Sequence, residues 1–196
     1  MTNALPTYEW GNALPQLDGE RLLLKGLEES DAEDVFAIYS DPEVIRYWSS
    51  PAYESIEQAR NLISETQNQF RARTMFEWGA EHRGSGRIIG TCTMINVDIA
   101  HRRAEIGYAF AREFWGRGYA TEAVELLVAF AFGPMNLHRL EADVHPDNSG
   151  SLRLLEKQGF KREGHLRERW HHLGRIEDGI FLGLLRPEWL ELKDSK

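Results

Sequence analysis

The chain has 196 residues, 42% hydrophobic and 28% charged, with a formal net charge of −8 at pH 7. That length suits one large domain with a full core, and the acidic balance argues against stable nucleic-acid binding while suiting a cationic substrate. The single cysteine, Cys92, excludes internal disulfides and cysteine-rich metal sites, and no apolar run is long enough for a membrane span or a secretion signal, so the simplest setting is the cytoplasm.

Residues 1–19, with Pro6, Gly11, Pro15 and Gly19, read as an irregular arm whose Tyr8, Trp10 and Leu14 are placed to dock on the body or on a second subunit. Residues 20–196 are expected to form a single domain. The run 20–27 is a short first strand. Ser30 or Asp31 then caps a helix that carries Val35, Phe36, Ile38 and Tyr39 inward, with Asp31, Glu33 and Asp34 at its positive end. Asp41-Pro42 marks a turn, followed by a short helix over 43–47. Ser55 and Gln58 form a capping-box pattern that opens a helix running to about Arg71, with Ala59, Leu62, Ile63 and Phe70 inward.

The period then changes to two. Residues 75–81 and 87–97 predict an antiparallel hairpin turned at 82–86, with Cys92 as a small buried thiol. Residues 102–110 continue as a strand, and 120–132 form a long apolar run with Glu122 and Glu125 as its only charges, which reads as a helix. Between them stands Phe114-Trp115-Gly116-Arg117-Gly118-Tyr119-Ala120. A strand, a glycine-rich turn and a helix start bring bare backbone N–H groups together at the positive end of a helix, an arrangement suited to a phosphate-bearing ligand. Two glycines also serve a plain strand-to-helix connection. Residues 137–144 form a strand and 145–148 a loop. Ser149 or Ser151 starts a helix stopped at Gly159, and 160–169 with 176–185 form a last strand pair. Hairpins combined with one β-α-β crossover predict an α/β mixture: a single mixed, mostly antiparallel sheet with helices on both faces.

Three segments in order resemble the GCN5-related N-acetyltransferase (GNAT) superfamily, and within it the ribosomal-protein N-terminal-acetyltransferase branch. They are Ala104-Glu105-Ile106-Gly107-Tyr108, Phe114-Trp115-Gly116-Arg117-Gly118-Tyr119-Ala120-Thr121-Glu122-Ala123, and Asn148-x-x-Ser151-x-Arg153-Leu154-Leu155-Glu156-Lys157-x-Gly159-Phe160. The resemblance spans about residues 20–188. It implies acetyl-CoA in a cleft between two splayed parallel strands, 103–110 and 137–144. The pyrophosphate would sit on backbone amides of Gly116, Arg117, Gly118, Tyr119 and Ala120, and the pantetheine arm on the backbone of Tyr108, Ala109 and Phe110. Asn148 would contact the cofactor arm, and Arg112 and Arg117 would add charge against the phosphates. Trp115 stands where most relatives keep Gln or Arg, so a polar side-chain contact is expected to be lost there.

Acetyl transfer to an amine needs a neutral nitrogen, a hydrogen-bond donor for developing charge and a proton source for the leaving thiolate. Many superfamily members supply that proton from a Tyr at the position of Leu155, so the assignment cannot be carried over. The resemblance points instead to Ser151 as catalytic donor, with a helix cap as its alternative role. Glu105 is the candidate base, with a structural carboxylate paired to Arg103 or Arg139 as the alternative; His138 and His145 are further candidate bases. Arg46, Tyr47, Trp48 and Trp78 are expected to wall the acceptor pocket, and Glu77, Glu81, Glu168 and Asp178 to attract an ammonium. No metal site is expected, since His171-His172 lacks a second ligand pair. The expected partners are acetyl-CoA and an amine acceptor, first a protein N-terminal amine. A polyamine or aminoglycoside, a longer acyl donor such as succinyl-CoA held by Arg46, and a catalytically silent acyl-CoA-binding domain are the alternatives. A homodimer using the aromatic arm is left open.

Overall fold

The computed structural model describes residues 8–48, 50–172 and 174–194; residues 1–7 of the expected arm, including Pro6, lie outside the described residues. One sheet of eight strands organises them, in the order β1-β2-β3-β4-β5-β6-β8-β7. The strands are β1 (Leu17–Asp18), β2 (Leu22–Gly26), β3 (Phe76–His82), β4 (Arg87–Asp98), β5 (Arg103–Phe110), β6 (Arg139–Val144), β7 (Lys161–His172) and β8 (Arg175–Leu185). Every neighbouring pair is antiparallel except β5 and β6. The expected sheet, with its one parallel pair, is what forms.

Period-two alternation sorts the residues onto two faces. Phe76 and Trp78 of β3, Cys92 and Met94 of β4, Ala104 and Ile106 of β5, and Leu140 and Ala142 of β6 bury one face against α3 (Tyr119–Phe132) and α4 (Ser149–Lys157). The opposite face carries α1 (Ala32–Tyr39) and α2 (Ile56–Ala72), which pack Val35, Ile38, Ala59 and Ile63 with Leu27, Ile88 and Ala109. The Ser55–Gln58 capping box at the start of α2 is formed as the spacing predicts. Cys92 is buried, and burial pushes its thiol pKa up, so it is an inert core group.

The arm takes the first of the two placements expected for it and docks on the body: Leu17–Asp18 pairs with β2, the Trp10 ring stacks on Phe76 at 4.0 Å, and Tyr8 meets Phe130 edge-on. Residues 43–47 form consecutive turns rather than a helix. Val44 and Ile45 N–H both bond to the Asp41 carbonyl, and Trp48 N–H then bonds to that of Ile45. Finally, the chain ends in a further helix, α5 (Arg186–Asp194), whose Trp189 packs against Phe132. No described helix is long and apolar enough to cross a membrane.

Candidate active site

The parallel pair β5–β6 is joined only over Arg103–Arg139, Ala104–Leu140 and Glu105–Glu141. Beyond Glu105 the two strands part, while β5 keeps its pairing to β4 as far as Phe110 and β6 its pairing to β8 as far as Val144. The β6-facing edge of Gly107, Tyr108, Ala109 and Phe110 therefore has no strand partner, and an extended ligand can supply one. Two cavities meet at this gap. A cavity of about 410 Å³ runs along Tyr108, Ala109, Phe110, Trp115, Gly116 and Ala120 to the start of α4. A second, of about 400 Å³, lies on the α1–α2 face. Tyr47, Trp48, Tyr108, Asn148 and Ser151 line both.

The glycine turn closes the first cavity. Gly116 and Gly118 have φ of +68° and +80°, a left-handed conformation that L side chains resist. No side chain caps α3 at Gly118, so the first N–H groups of the helix stay available to an anion. Arg21 braces the turn from behind. Its guanidinium donates to the Arg117 carbonyl at 2.9 Å and the Gly118 carbonyl at 3.1 Å, and it pairs with Glu122 at 2.8 Å. With the carbonyls held on that side, the amides are aimed the other way. A cradle of this kind fits a pyrophosphate. The Trp115 indole N–H turns inward and donates to the Phe110 carbonyl at 2.6 Å, covering an end of β5 that would otherwise lack a partner. Arg112 and Arg117 line neither cavity; Arg112 pairs with Asp41 at 3.1 Å, and Arg117 lies over Phe114.

At the junction of the cavities the Tyr108 and Ser151 hydroxyl oxygens are 2.7 Å apart. Asn148 caps α4 by accepting the Ser151 N–H at 3.2 Å, so the cap role belongs to Asn148 and the Ser151 hydroxyl is left for Tyr108. Leu155, at the position of the superfamily Tyr, is a buried core residue.

On the other side of the gap, Glu105 lines the second cavity and accepts from Asn96 at 3.0 Å. Arg103 and Arg139 pair with Glu141 instead, so the structural pairing weighed for Glu105 does not form. Burial raises the Glu105 pKa, with Asp143 and Glu141 adding to the rise. Glu77 stands deeper, only 5% exposed. Tyr39 donates to its carboxylate at 3.2 Å and meets Thr91 at 2.7 Å; with its one hydrogen on Glu77, Tyr39 accepts from Thr91. Burial pushes Glu77 up from 4.5 to about 7. Asp143 and Glu177 complete four carboxylates in the lining, which contains no Lys or Arg among the described residues.

Several expected wall residues lie elsewhere. Trp78 is a correction: it is fully buried on the α3 face and its indole donates to the Pro15 carbonyl, because a strand neighbour of Glu77 must point the opposite way. Glu81 pairs with Lys25, and Asp178 with His165, while neither these nor Glu168 line the cavity. Arg46 lines the first cavity near Glu43. Tyr47 stacks on His145 at 4.9 Å. The His145 Nδ1 accepts the Asp147 N–H, which leaves its Nε2 to carry the proton, 4.0 Å from Glu177. His138 lines neither cavity. Tyr39, Tyr53, Asp143, Glu177 and Arg21 were not singled out by sequence. For Asp143 a signal existed, since alternation in β6 sets it opposite the apolar Leu140 and Ala142. For Tyr39, Tyr53 and Arg21 no local pattern announces the role. No group of three or more metal-ligating side chains occurs among the described residues.

A family model described as Acetyltransferase (GNAT) domain matches residues 21–161. The chain is 37% identical over 173 residues to the uncharacterized N-acetyltransferase YoaA of Bacillus subtilis, covering 88% of this chain and 98% of that one. It also resembles the crystal structure of spermidine N-acetyltransferase from Vibrio cholerae in complex with CoA and spermine, with a TM-score of 0.77, 26% identity and coverage of 88% and 99%. Ribosomal-protein-S5-alanine acetyltransferase from Vibrio fischeri shares the fold, with a TM-score of 0.78, 20% identity and coverage of 89% and 98%.

Proposed function

The chain belongs to the GNAT acetyltransferase family, and from that premise we propose that it acetylates a primary amine of a small polycationic acceptor of the polyamine class. Its activity is that of an acetyl-CoA-dependent N-acyltransferase. The acceptor reading is carried by the second cavity, whose charged lining is Glu77, Glu105, Asp143 and Glu177 with no described Lys or Arg. Arg169 and Arg175 pair with Asp143 and Glu177, whereas Glu77 and Glu105 are hydrogen-bonded to the neutral Tyr39 and Asn96. Two carboxylates held by neutral partners in a half-enclosed space, beside the rings of Tyr47, Trp48 and Tyr53, attract ammonium groups. The likeness to the spermidine enzyme supports the same class.

In this reading the amides of 116–120 would hold the pyrophosphate, and the edge of β5 that β6 leaves open around Tyr108 would align the arm of acetyl-CoA. When bound, the thioester supplies an acyl group open to attack and a thiolate leaving group. Glu105, with its raised pKa, takes a proton from the acceptor ammonium through solvent on one side of the gap. Ser151, oriented by Tyr108, presents its hydroxyl on the other side, where it would serve as hydrogen-bond donor to the leaving thiolate.

The second reading is the ribosomal-protein branch, with a protein N-terminal amine as acceptor. Trp170, 37% exposed at the rim of the cavity, favours it by offering a platform for the first side chains of a polypeptide. A screen of thiol release from acetyl-CoA across polyamines, aminoglycosides and N-terminal peptides tests the choice. Turnover with polyamines and not peptides is expected; the reverse pattern overturns the polycationic reading.

A further inference from the structure

Resting on the polycationic-acceptor reading, we propose that Glu77 with Tyr39, Trp48 and Tyr53 forms a subsite for a second ammonium group, which makes the enzyme select long diamines over monoamines. The placement follows from register. Glu77 lies opposite Thr93, and Thr93 opposite Gly107, so the three share a row across β3, β4 and β5 on one face. Two strand spacings separate Glu77 from the β5 edge, about 10 Å. Tyr108, next to Gly107, carries the hydroxyl that meets Ser151 at the cleft. Glu77 is thus too far from the cleft to serve the reacting nitrogen, yet it lines the same cavity.

The surroundings have the chemistry of an ammonium site. Tyr39 packs on Tyr53 with ring centroids 5.2 Å apart and meets Trp48 edge-on at 5.5 Å. All three rings line the cavity beside the carboxylate. A buried carboxylate held by the Tyr39 hydroxyl, in a lining with no described Lys or Arg, lacks a positive charge, and a cation arriving through the cavity supplies it. An acceptor that places one nitrogen at Glu77 and the other at the β5–β6 gap spans about 10 Å, the reach of an extended polyamine rather than of a short diamine.

The experiment compares kcat/KM for hexylamine, diaminopropane, diaminobutane, diaminohexane, diaminooctane and spermidine in the wild type and in Glu77→Gln. In the wild type, diaminooctane and spermidine are expected to exceed hexylamine and diaminopropane by about tenfold, and in Glu77→Gln that ratio is expected to collapse towards one. Diamines turned over with a flat length profile, or a Glu77→Gln variant that keeps the wild-type ratio, overturn the subsite while leaving the polycationic reading in place. Failure of every amine in the series alongside turnover of N-terminal peptides overturns that reading itself. If Glu77→Gln does not fold, Tyr53→Leu is measured for the same ratio with the same two outcomes.

Discussion

The hydroxyls of Tyr108 on β5 and Ser151 on α4 share one hydrogen bond of 2.7 Å at the point where the two cavities join. Burial raises the Tyr108 pKa, so the phenol keeps its proton throughout the physiological range. The pair then holds two hydrogens for one mutual contact, and the second is free to point into the cleft. A serine alone is a weak donor. Hydrogen-bonded to Tyr108 of β5 it is an oriented one, whereas Leu155 of α4 is buried in the core and offers no hydroxyl.

Removal of either hydroxyl is expected to lower kcat about 10- to 100-fold with little change in acetyl-CoA affinity. In Tyr108→Phe/Ser151→Ala the loss is expected to match the larger single loss rather than their product, since both mutations break one unit. Steady-state kinetics together with calorimetric CoA titration measure both. Multiplying losses, or wild-type turnover in Tyr108→Phe, rule out the coupled pair.

The proposed pyrophosphate cradle depends on backbone shape, and Arg21 is the side chain that braces the turn. Gly118→Val forces a branched side chain into φ of +80° and sets a Cβ about 3.3 Å from the Arg21 guanidinium. CoA binding is expected to vanish in calorimetry while the circular dichroism spectrum persists. Arg21→Ala, which touches no ligand-facing surface of the turn, is expected to weaken CoA about tenfold by releasing the Arg117 and Gly118 carbonyls. Unchanged affinity in both variants would remove the turn from the cofactor site.

Much of this site is legible in sequence because period and glycine placement are backbone properties. The alternation of 102–110, the positive-φ glycines and the capped helix after Asn148 together announce a gap beside an anion site. What stays hidden is tertiary. The aromatic segment 43–48 has residues of moderate helix propensity, yet Tyr47 is held by His145 and Asp147, and Trp48 by Tyr39, and these contacts outweigh a helical turn. Helix α5 starts with Arg186-Pro187, where a proline looks like a breaker although the first turn has no use for its missing N–H. Trp78 and Glu77 were both expected in the pocket, but strand period allows only one of them. Arg21 pairs with Glu122 a hundred residues on, and nothing local to either residue signals the contact.

Glu105 governs the acid side of the pH profile in this mechanism. Burial shifts its pKa upward, so the carboxylate able to accept a proton is lost as pH falls through a value above the usual 4.5. Activity is expected to fall on the acid limb with that midpoint in the wild type. Glu105→Gln is expected to lower kcat/KM about 10- to 100-fold and to remove that limb. A variant that retains the wild-type limb assigns the base elsewhere, with His145, which lines the same cavity, as the alternative.

Glu77 leaves a second signature, in stability rather than turnover. Tyr39 from α1, Tyr53, Glu65 from α2, and Thr91 and Cys92 from β4 surround it, and none of them is a cation. Its pKa is about 7 in the folded chain against 4.5 when solvated. Between those values the folded state holds a proton that the unfolded state has released, so stability falls as pH rises through that window. By pH 8 the lost stability reaches up to about 3 kcal/mol, and below pH 4.5 none is lost. Glu77→Gln keeps an acceptor for Tyr39 but cannot ionise. Denaturant unfolding at pH 5 and pH 8 is therefore expected to show the variant close to the wild type at pH 5 and more stable at pH 8. Saturating diamine should erase much of that difference by supplying the missing positive charge to the wild type alone. Equal stability of the two proteins at pH 8 would mean that Glu77 ionises without cost, and its burial would then carry no consequence for cation binding.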